Sequence, residues 1–270
     1  MDEFEIIDRF FQGSTSPRSD TLLGIGDDAA ILATGGRPLI SAMATLNPMV
    51  ATKGDSSIDS GQDEGADEAR AVFAQALIRL CLRRITPRWV TLALSLESVA
   101  GDRSIAWLES FACGVKEICR SCEVELVGGD TTRGANRIVV FAHGLSRSSL
   151  SPRQARASTS RQGRKAQEMP PGFSASMRAS EGEDRSKVSS DSLRLGFTRF
   201  SSAAVSDLIA LYRSPVAERI GPSIFGVSDE PRASSGGESL VASIDIRCDD
   251  EGKEALRLYA ARHIEVVELP

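Results

Sequence analysis

A Ser/Arg-rich stretch from residue 146 to residue 192 interrupts this chain of 270 residues, so any fold must be built from the segments on either side of it. The stretch holds thirteen serines and few large apolar residues, and between Arg147 and Ala166 it carries six basic residues and no acid. Such a composition buries too little apolar surface to offset the entropy of ordering the backbone, so the stretch is expected to be disordered. Three parts follow: 1–145, 146–192 and a shorter C-terminal part, 193–270.

The first part has the clearest patterning. Val72, Phe73, Ala76, Leu77, Leu80 and Cys81 repeat at three and four, which predicts a helix from Ala69 to about Arg84, ended by Thr86-Pro87. Val90, Leu92, Leu94 and Leu96 alternate as in a strand. Ile105, Leu108, Phe111, Val115 and Ile118 mark a second helix, with Asp102 or Ser104 available as its cap. Strands are expected at 124–127 and 138–142, and a short buried one from Leu39 to Met43. Phe4, Ile7, Phe10 and Phe11 suit one face of a short helix, and the acidic residues 53–68 read as an exposed loop. The order is β-α-β-β, an α/β pattern. Order is expected to resume near Leu193. A helix around Val205–Tyr212 stops before Pro215, followed by a strand at Leu240–Ile246, a helix at Glu251–Arg262 and a strand at Ile264–Leu269. That shortened α/β unit is too small to be stable alone.

Composition narrows the function. Hydrophobic residues make up 41% and no apolar run approaches the roughly eighteen residues needed to span a bilayer. The start, Met1-Asp2-Glu3, is acidic where a secretory signal is basic, so a cytoplasmic location is expected. Five cysteines in no ligand-like repeat, with His143 and His263 as the only histidines, read as reduced thiols rather than a zinc site. A net charge of −5 gives no overall attraction to nucleic acid, and the basic segment 147–166 lacks aromatics on which bases could stack.

Two glycine-rich segments carry the chemistry. Gly24-Ile25-Gly26-Asp27-Asp28 sets two carboxylates after glycines that let the backbone approach a ligand, as a magnesium ion shared with phosphates requires. A solvated turn is the alternative, and the dinucleotide fingerprint lacks its third glycine. Gly128-Gly129-Asp130-Thr131-Thr132-Arg133-Gly134 follows a strand, and at such a turn N–H groups and hydroxyls can hold phosphate oxygens while the acid holds a metal. Its alternative is a plain hairpin turn.

These segments resemble the thiamine-monophosphate kinase family, in order and spacing. The resemblance runs from Glu3-Phe4-Glu5-Ile6-Ile7-Asp8-Arg9-Phe10-Phe11 through Leu23-Gly24-Ile25-Gly26-Asp27-Asp28, Thr86-Pro87-Arg88-Trp89-Val90 and Trp107-Leu108-Glu109-Ser110-Phe111 to Gly128-Gly129-Asp130-Thr131-Thr132, covering residues 3–145. It implies an α/β N-terminal domain that pairs into a homodimer, as in the wider group with aminoimidazole ribonucleotide synthetase, followed by a second α/β domain. It also implies ATP-dependent phosphorylation of thiamine monophosphate to thiamine diphosphate with Mg2+. By the same resemblance Asp28, with Asp27 beside it, and Asp130 are metal ligands, while Gly129, Asp130 and Thr45 belong to the nucleotide site. Ala203-Ala204-Val205-Ser206-Asp207 resembles a segment in which Ser206 contacts ATP and Asp207 binds metal. Ser235-Gly236-Gly237-Glu238 makes Glu238 a substrate-binding residue, and Arg153 stands nearest the family's ATP-binding arginine.

Departures accompany the match. Ala44, Arg79 and Ala204 stand where the family has acids. Three losses from about five acids leave ligands for about one metal. Arg79 can either lie against a phosphate or extend from the edge of its helix's apolar stripe. The expected function is thus a kinase of this family with weak or lost activity. The alternative is a non-catalytic, kinase-derived protein that dimerises or binds nucleotide. Restoring acids through Ala44→Asp with Arg79→Asp is expected to raise thiamine diphosphate formation.

Overall fold

Small residues bring two helices of the first half into close contact. Helix α1 is the short Glu3–Ile6, and α2 (Glu64–Cys81) crosses α3 (Asp102–Ser121). A Cβ on Gly65 would lie 2.5 Å from the Trp107 carbonyl oxygen, and one on Gly114 would lie 2.7 Å from the Ala66 backbone. This crossing explains why α2 starts at Glu64 and not at Ala69: Gly65 and Ala66 are buried by helix contact, which apolar periodicity does not register. The structure, a computed structural model, describes residues 3–13, 15–26, 29–47, 64–97, 101–146, 192–233 and 239–269.

The strands are β1 (Thr21–Leu23), β2 (Ile31–Leu32), β3 (Leu39–Leu46), β4 (Thr86–Leu96), β5 (Glu125–Arg133) and β6 (Arg137–Leu145). The last four form a sheet in the order β3-β6-β4-β5. β4 and β5 run parallel, joined by α3, and the other pairs are antiparallel. The helices lie over one face, where Ala44, Val90, Leu92, Leu94, Ile138, Val140 and Ala142 share their core.

Several expectations are corrected here. Gly128–Arg133 is not a turn but the second half of β5, paired with Thr91–Leu96 of β4. β3 alternates between the faces, so Leu39 and Met43 on the uncovered side are exposed while Ala44 on the helix side is buried. Phe4 is exposed and Ile6, Phe10 and Phe11 are buried, because Ile7–Phe11 forms a π-turn whose wider spacing rotates the apolar side chains off a 3.6-residue stripe. Gly101, at φ +104, sits at the N-cap of α3 with no side-chain cap from Asp102 or Ser104.

Among its described residues the C-terminal half has four strands where two were expected. β7 (Ser192–Phe197), β8 (Ile220–Ala233), β9 (Ser239–Cys248) and β10 (Val266–Leu269) form an antiparallel sheet, β10-β7-β9-β8. It carries α4 (Ser202–Arg213) and α5 (Asp250–Ala260). The halves share one apolar core in which Leu208, Ile209 and Tyr212 of α4 join Leu77, Cys81 and Ile118. Polar ties cross the same seam. Ser206 Oγ donates to the Ser121 carbonyl (2.6 Å), the Arg84 guanidinium donates to the Ile220 carbonyl (2.6 Å), and Arg213 pairs with Glu123 (3.0 Å). The shared core removes the instability expected of the C-terminal half on its own. Among the described residues no helix is long and apolar enough to cross a membrane.

Candidate functional site

The helices leave the other face of the first sheet open. Strand pairing arranges its side chains in rows. One row runs Thr45, Val139, Ala93, Asp130 from edge to edge, and the next runs Met43, Phe141, Thr91, Gly128. Asp130 and Thr45 are both exposed, on one face and in one row, three inter-strand spacings or about 14 Å apart. One end of the face is covered by the β1–β2 hairpin, whose Ala30 and Leu32 pack on Trp89, Val127 and Leu145. The hairpin connection begins with Gly24; Asp27 and Asp28 within it lie outside the described residues.

His143 sits on the same face, with Nδ1 2.8 Å from Ser41 Oγ and Nε2 3.3 Å from Thr91 Oγ1. Burial pushes its imidazole below the ordinary value, so it is neutral at neutral pH. Neither this histidine nor its hydroxyl partners were read from the sequence as a group, because they come from three strands.

The remaining expected site residues fall in different places. At Gly129 no room is left for a side chain, since a Cβ there would stand 1.8 Å from the Leu92 carbonyl oxygen of β4. Ser206 uses its hydroxyl on the last residue of α3, next to the start of β5. Asp207 pairs with His263 Nε2 at 3.1 Å. From the start of β5 to Asp130 is five residues, about 16 Å of strand. Arg153 and Glu238 lie outside the described residues. Among the described residues no three His, Cys, Asp or Glu side chains are grouped as a metal site. Asp130 is an exposed, hard-oxygen donor of the kind magnesium takes together with phosphates and water.

The positions where acids were expected are taken up by packing. Ala44 is 2% exposed and Ala204 is fully buried, with its carbonyl accepting from the Tyr259 hydroxyl (3.0 Å). Arg79 is half-buried, donates to the Met43 carbonyl and lies 5.4 Å from the Phe225 ring centre. Burial lowers its pKa from the ordinary value. It bridges β3 and β8, which is closer to the extended-arginine reading than to a phosphate contact.

A buried polar network at the base of β5 escaped sequence reasoning. Glu125, 7% exposed, accepts from the Arg18 backbone N–H (2.8 Å) and from Thr21 Oγ1 (2.6 Å). Thr21 Oγ1 accepts from Trp89 Nε1 (2.9 Å), and the Leu126 N–H donates to Thr15 Oγ1 (3.2 Å). Asp20 beside them is raised by burial, but hydrogen bonds from Arg88 and Arg18 outweigh this and hold its carboxyl below the usual range. The available signal was an acid inside the apolar run Val124-Glu125-Leu126-Val127.

The segment that carries this face is similar to known proteins. The family model for the AIR synthase related protein N-terminal domain matches residues 26–146, which include Asp130 and the whole sheet. That match covers somewhat less than half of this chain. Over 143 residues the chain is 35% identical to thiamine-monophosphate kinase of Escherichia coli K12, covering 53% of this chain and 41% of that protein. With the Salmonella typhimurium thiamine-monophosphate kinase the identity is 33% over 142 residues, with the same coverage of 53% and 41%. The match therefore spans less than half the length of these relatives. Over 99% of this chain and 92% of the other, the fold matches the crystal structure of thiamine-monophosphate kinase from Stenotrophomonas maltophilia K279a, with a TM-score of 0.55 at 20% identity. The hydrogenase maturation protein HypE in complex with ATP gives a TM-score of 0.56 at 14% identity, over 98% of this chain and 84% of that one. The α/β fold with an AIR-synthase-like first domain is thereby shown.

Proposed function

We propose that this protein is a thiamine-monophosphate-kinase-like protein, built as an N-terminal domain (1–145), a linker (146–192) and a short C-terminal domain (193–270), that binds magnesium and ATP on the open sheet face. Phosphorylation of thiamine monophosphate is slow or lost. The observation that carries this reading is Asp130, exposed on that face within the segment related to the kinases. Asp130, with Asp28 and Asp27 by resemblance, would hold magnesium, which supplies positive charge to the phosphates when bound. Buried Ala44, buried Ala204 and engaged Arg79 support the loss of rate, since each removes a carboxylate that the resemblance expects. Each preorganised charge-stabilising group is typically worth about a hundredfold in rate.

Isothermal titration of ATP into the full chain, with magnesium and with EDTA, tests the reading. Magnesium-dependent binding is expected, and Asp130→Asn should weaken it about tenfold or more while leaving metal-free binding unchanged. Equal binding by the wild type and Asp130→Asn would remove Asp130 from the site. Thiamine diphosphate formation, measured alongside, separates a slow kinase from a non-catalytic nucleotide binder.

The same face is proposed to pair with a second copy, as the resemblance implies. Met43 and Phe141, 51% and 37% exposed, lie side by side on paired strands, and the β1–β2 hairpin covers only the Trp89 end. Met43→Glu with Phe141→Glu is expected to yield a folded monomer in analytical ultracentrifugation, against a wild-type dimer at micromolar concentration. A wild-type monomer at that concentration would refute the pairing.

A further inference from the structure

We propose that Glu125 is a positioning residue for the nucleotide site: its buried carboxyl group fixes where the glycine turn beginning at Gly24 leaves the sheet. The inference rests on the reading of that turn and of Gly128–Asp130 as parts of a nucleotide site.

The geometry is a chain of contacts through one side chain. β5 is an edge strand, and an edge left bare offers its N–H and C=O groups to other chains. Residues 15–21 run along it and are tied at successive points, Thr15 to Leu126, Arg18 to Glu125 and Thr21 to Glu125. The Arg18 guanidinium adds a bond to the Glu123 carbonyl (3.1 Å). Two of these ties end on Oε2 of Glu125. Its other oxygen faces the turn, since a Cβ built on Gly24 would stand 3.8 Å from Glu125 Oε1. The same residue opens the strand that carries Asp130. One side chain therefore sets the start of the turn against the root of the second motif.

Burying a carboxyl group at this position is costly unless it is hydrogen-bonded, and here Oε2 takes two bonds from the segment that leads into the turn. A group meant only to seal the strand edge could be apolar. Thr21 links the carboxyl to Trp89, which is fully buried, so a change at Glu125 reaches an indole whose fluorescence can be followed.

The test uses the full chain carrying Trp107→Phe, which leaves Trp89 as the single tryptophan. Glu125→Ala, Glu125→Gln and Thr15→Val are compared. Thr15→Val cuts a tie of the same arm without touching Glu125. In the absence of ligand, Glu125→Ala is expected to speed amide exchange at Ile25 and Gly26 at least tenfold, to shift Trp89 emission, and to leave exchange at Ile138–Ala142 unchanged. Magnesium-ATP affinity is expected to fall tenfold or more in Glu125→Ala, two- to fivefold in Glu125→Gln, which keeps one oxygen acceptor, and less than twofold in Thr15→Val. Unchanged exchange at Ile25 and Gly26 overturns the proposal, as does an affinity loss in Thr15→Val equal to that in Glu125→Ala. If Glu125→Ala does not fold, Glu125→Gln decides by the same two measurements. Failure of the wild type to bind magnesium-ATP would refute the nucleotide reading itself, and the exchange data would still decide whether Glu125 anchors the turn.

Discussion

Ala44→Asp combined with Arg79→Asp is expected to lower the thermal midpoint by about 10 °C, in EDTA and in excess magnesium alike. Ala44 points from β3 into the helix-covered core at 2% exposure, so the new carboxyl is taken out of water. A polar group buried without a partner costs roughly 2–7 kcal/mol, and for a chain of this size each kcal/mol moves the midpoint by about 2–4 °C. Arg79→Asp deletes the bond to the Met43 carbonyl and the contact with Phe225, and adds a second carboxyl beside the first. Ala44→Asp alone should cost less, because the Arg79 guanidinium already reaches the neighbouring peptide and can pair with the acid. Magnesium held by Asp130 lies across the sheet from position 44, so it does not engage the new carboxyl groups. Differential scanning fluorimetry of the three variants, with and without the ion, checks the order. A double variant stabilised by magnesium would mean that positions 44 and 79 form a metal site on the helix side of the sheet. Any gain in thiamine diphosphate formation from restored acids must be measured where the double variant is still folded.

The contrast between Ala44 and Asp130 shows what the sequence could and could not reveal. The alternation Val90, Leu92, Leu94, Leu96 and the three-four spacing in α2 and α3 are local, and both reappear as elements near the expected residues. Strand β5 beyond Val127 was not legible, because Gly-Gly-Asp-Thr-Thr-Arg has weak intrinsic strand preference and is extended by pairing with β4, thirty-odd residues earlier. The face of Asp130 was hidden by a further feature. Simple alternation from buried Leu126 would turn Gly128 and Asp130 toward the helices. A register shift between Val90 and Thr91 inserts one residue, pairs Gly128 with Thr91, and turns Asp130 to the open face. The acid could be read as chemically suited to a metal, but its direction depends on a bulge that leaves no periodic trace. The surroundings of Ser206 and Asp207 were hidden for a similar reason. Their helix is placed by its packing on α2 and α3, a contact that local spacing does not encode.

The two glycines before Asp130 are expected to respond oppositely to a single methyl group. Neither has a positive φ, so backbone conformation does not require glycine at either position. Gly129→Ala should leave little soluble protein, or destabilise it by about 3 kcal/mol or more, because its Cβ would lie 1.8 Å from the Leu92 carbonyl oxygen and β4 is held on its other side by β6. Gly128→Ala should fold with a stability within about 0.5 kcal/mol of the wild type, since a Cβ there meets nothing within 4 Å. Gly128 shares the open face with Asp130, so its bare backbone is where a phosphate chain could come closest to the strand. A methyl group in that space would stabilise nothing and would obstruct the approach. Magnesium-ATP affinity of the folded Gly128→Ala protein is therefore expected to fall about tenfold, a difference of about 1.4 kcal/mol in binding. Unfolding curves and titration of the same preparation separate packing from ligand contact. If Gly128→Ala binds as tightly as the wild type, the phosphates do not lie against this strand, and Gly129 is explained by the approach of β4 to β5 alone.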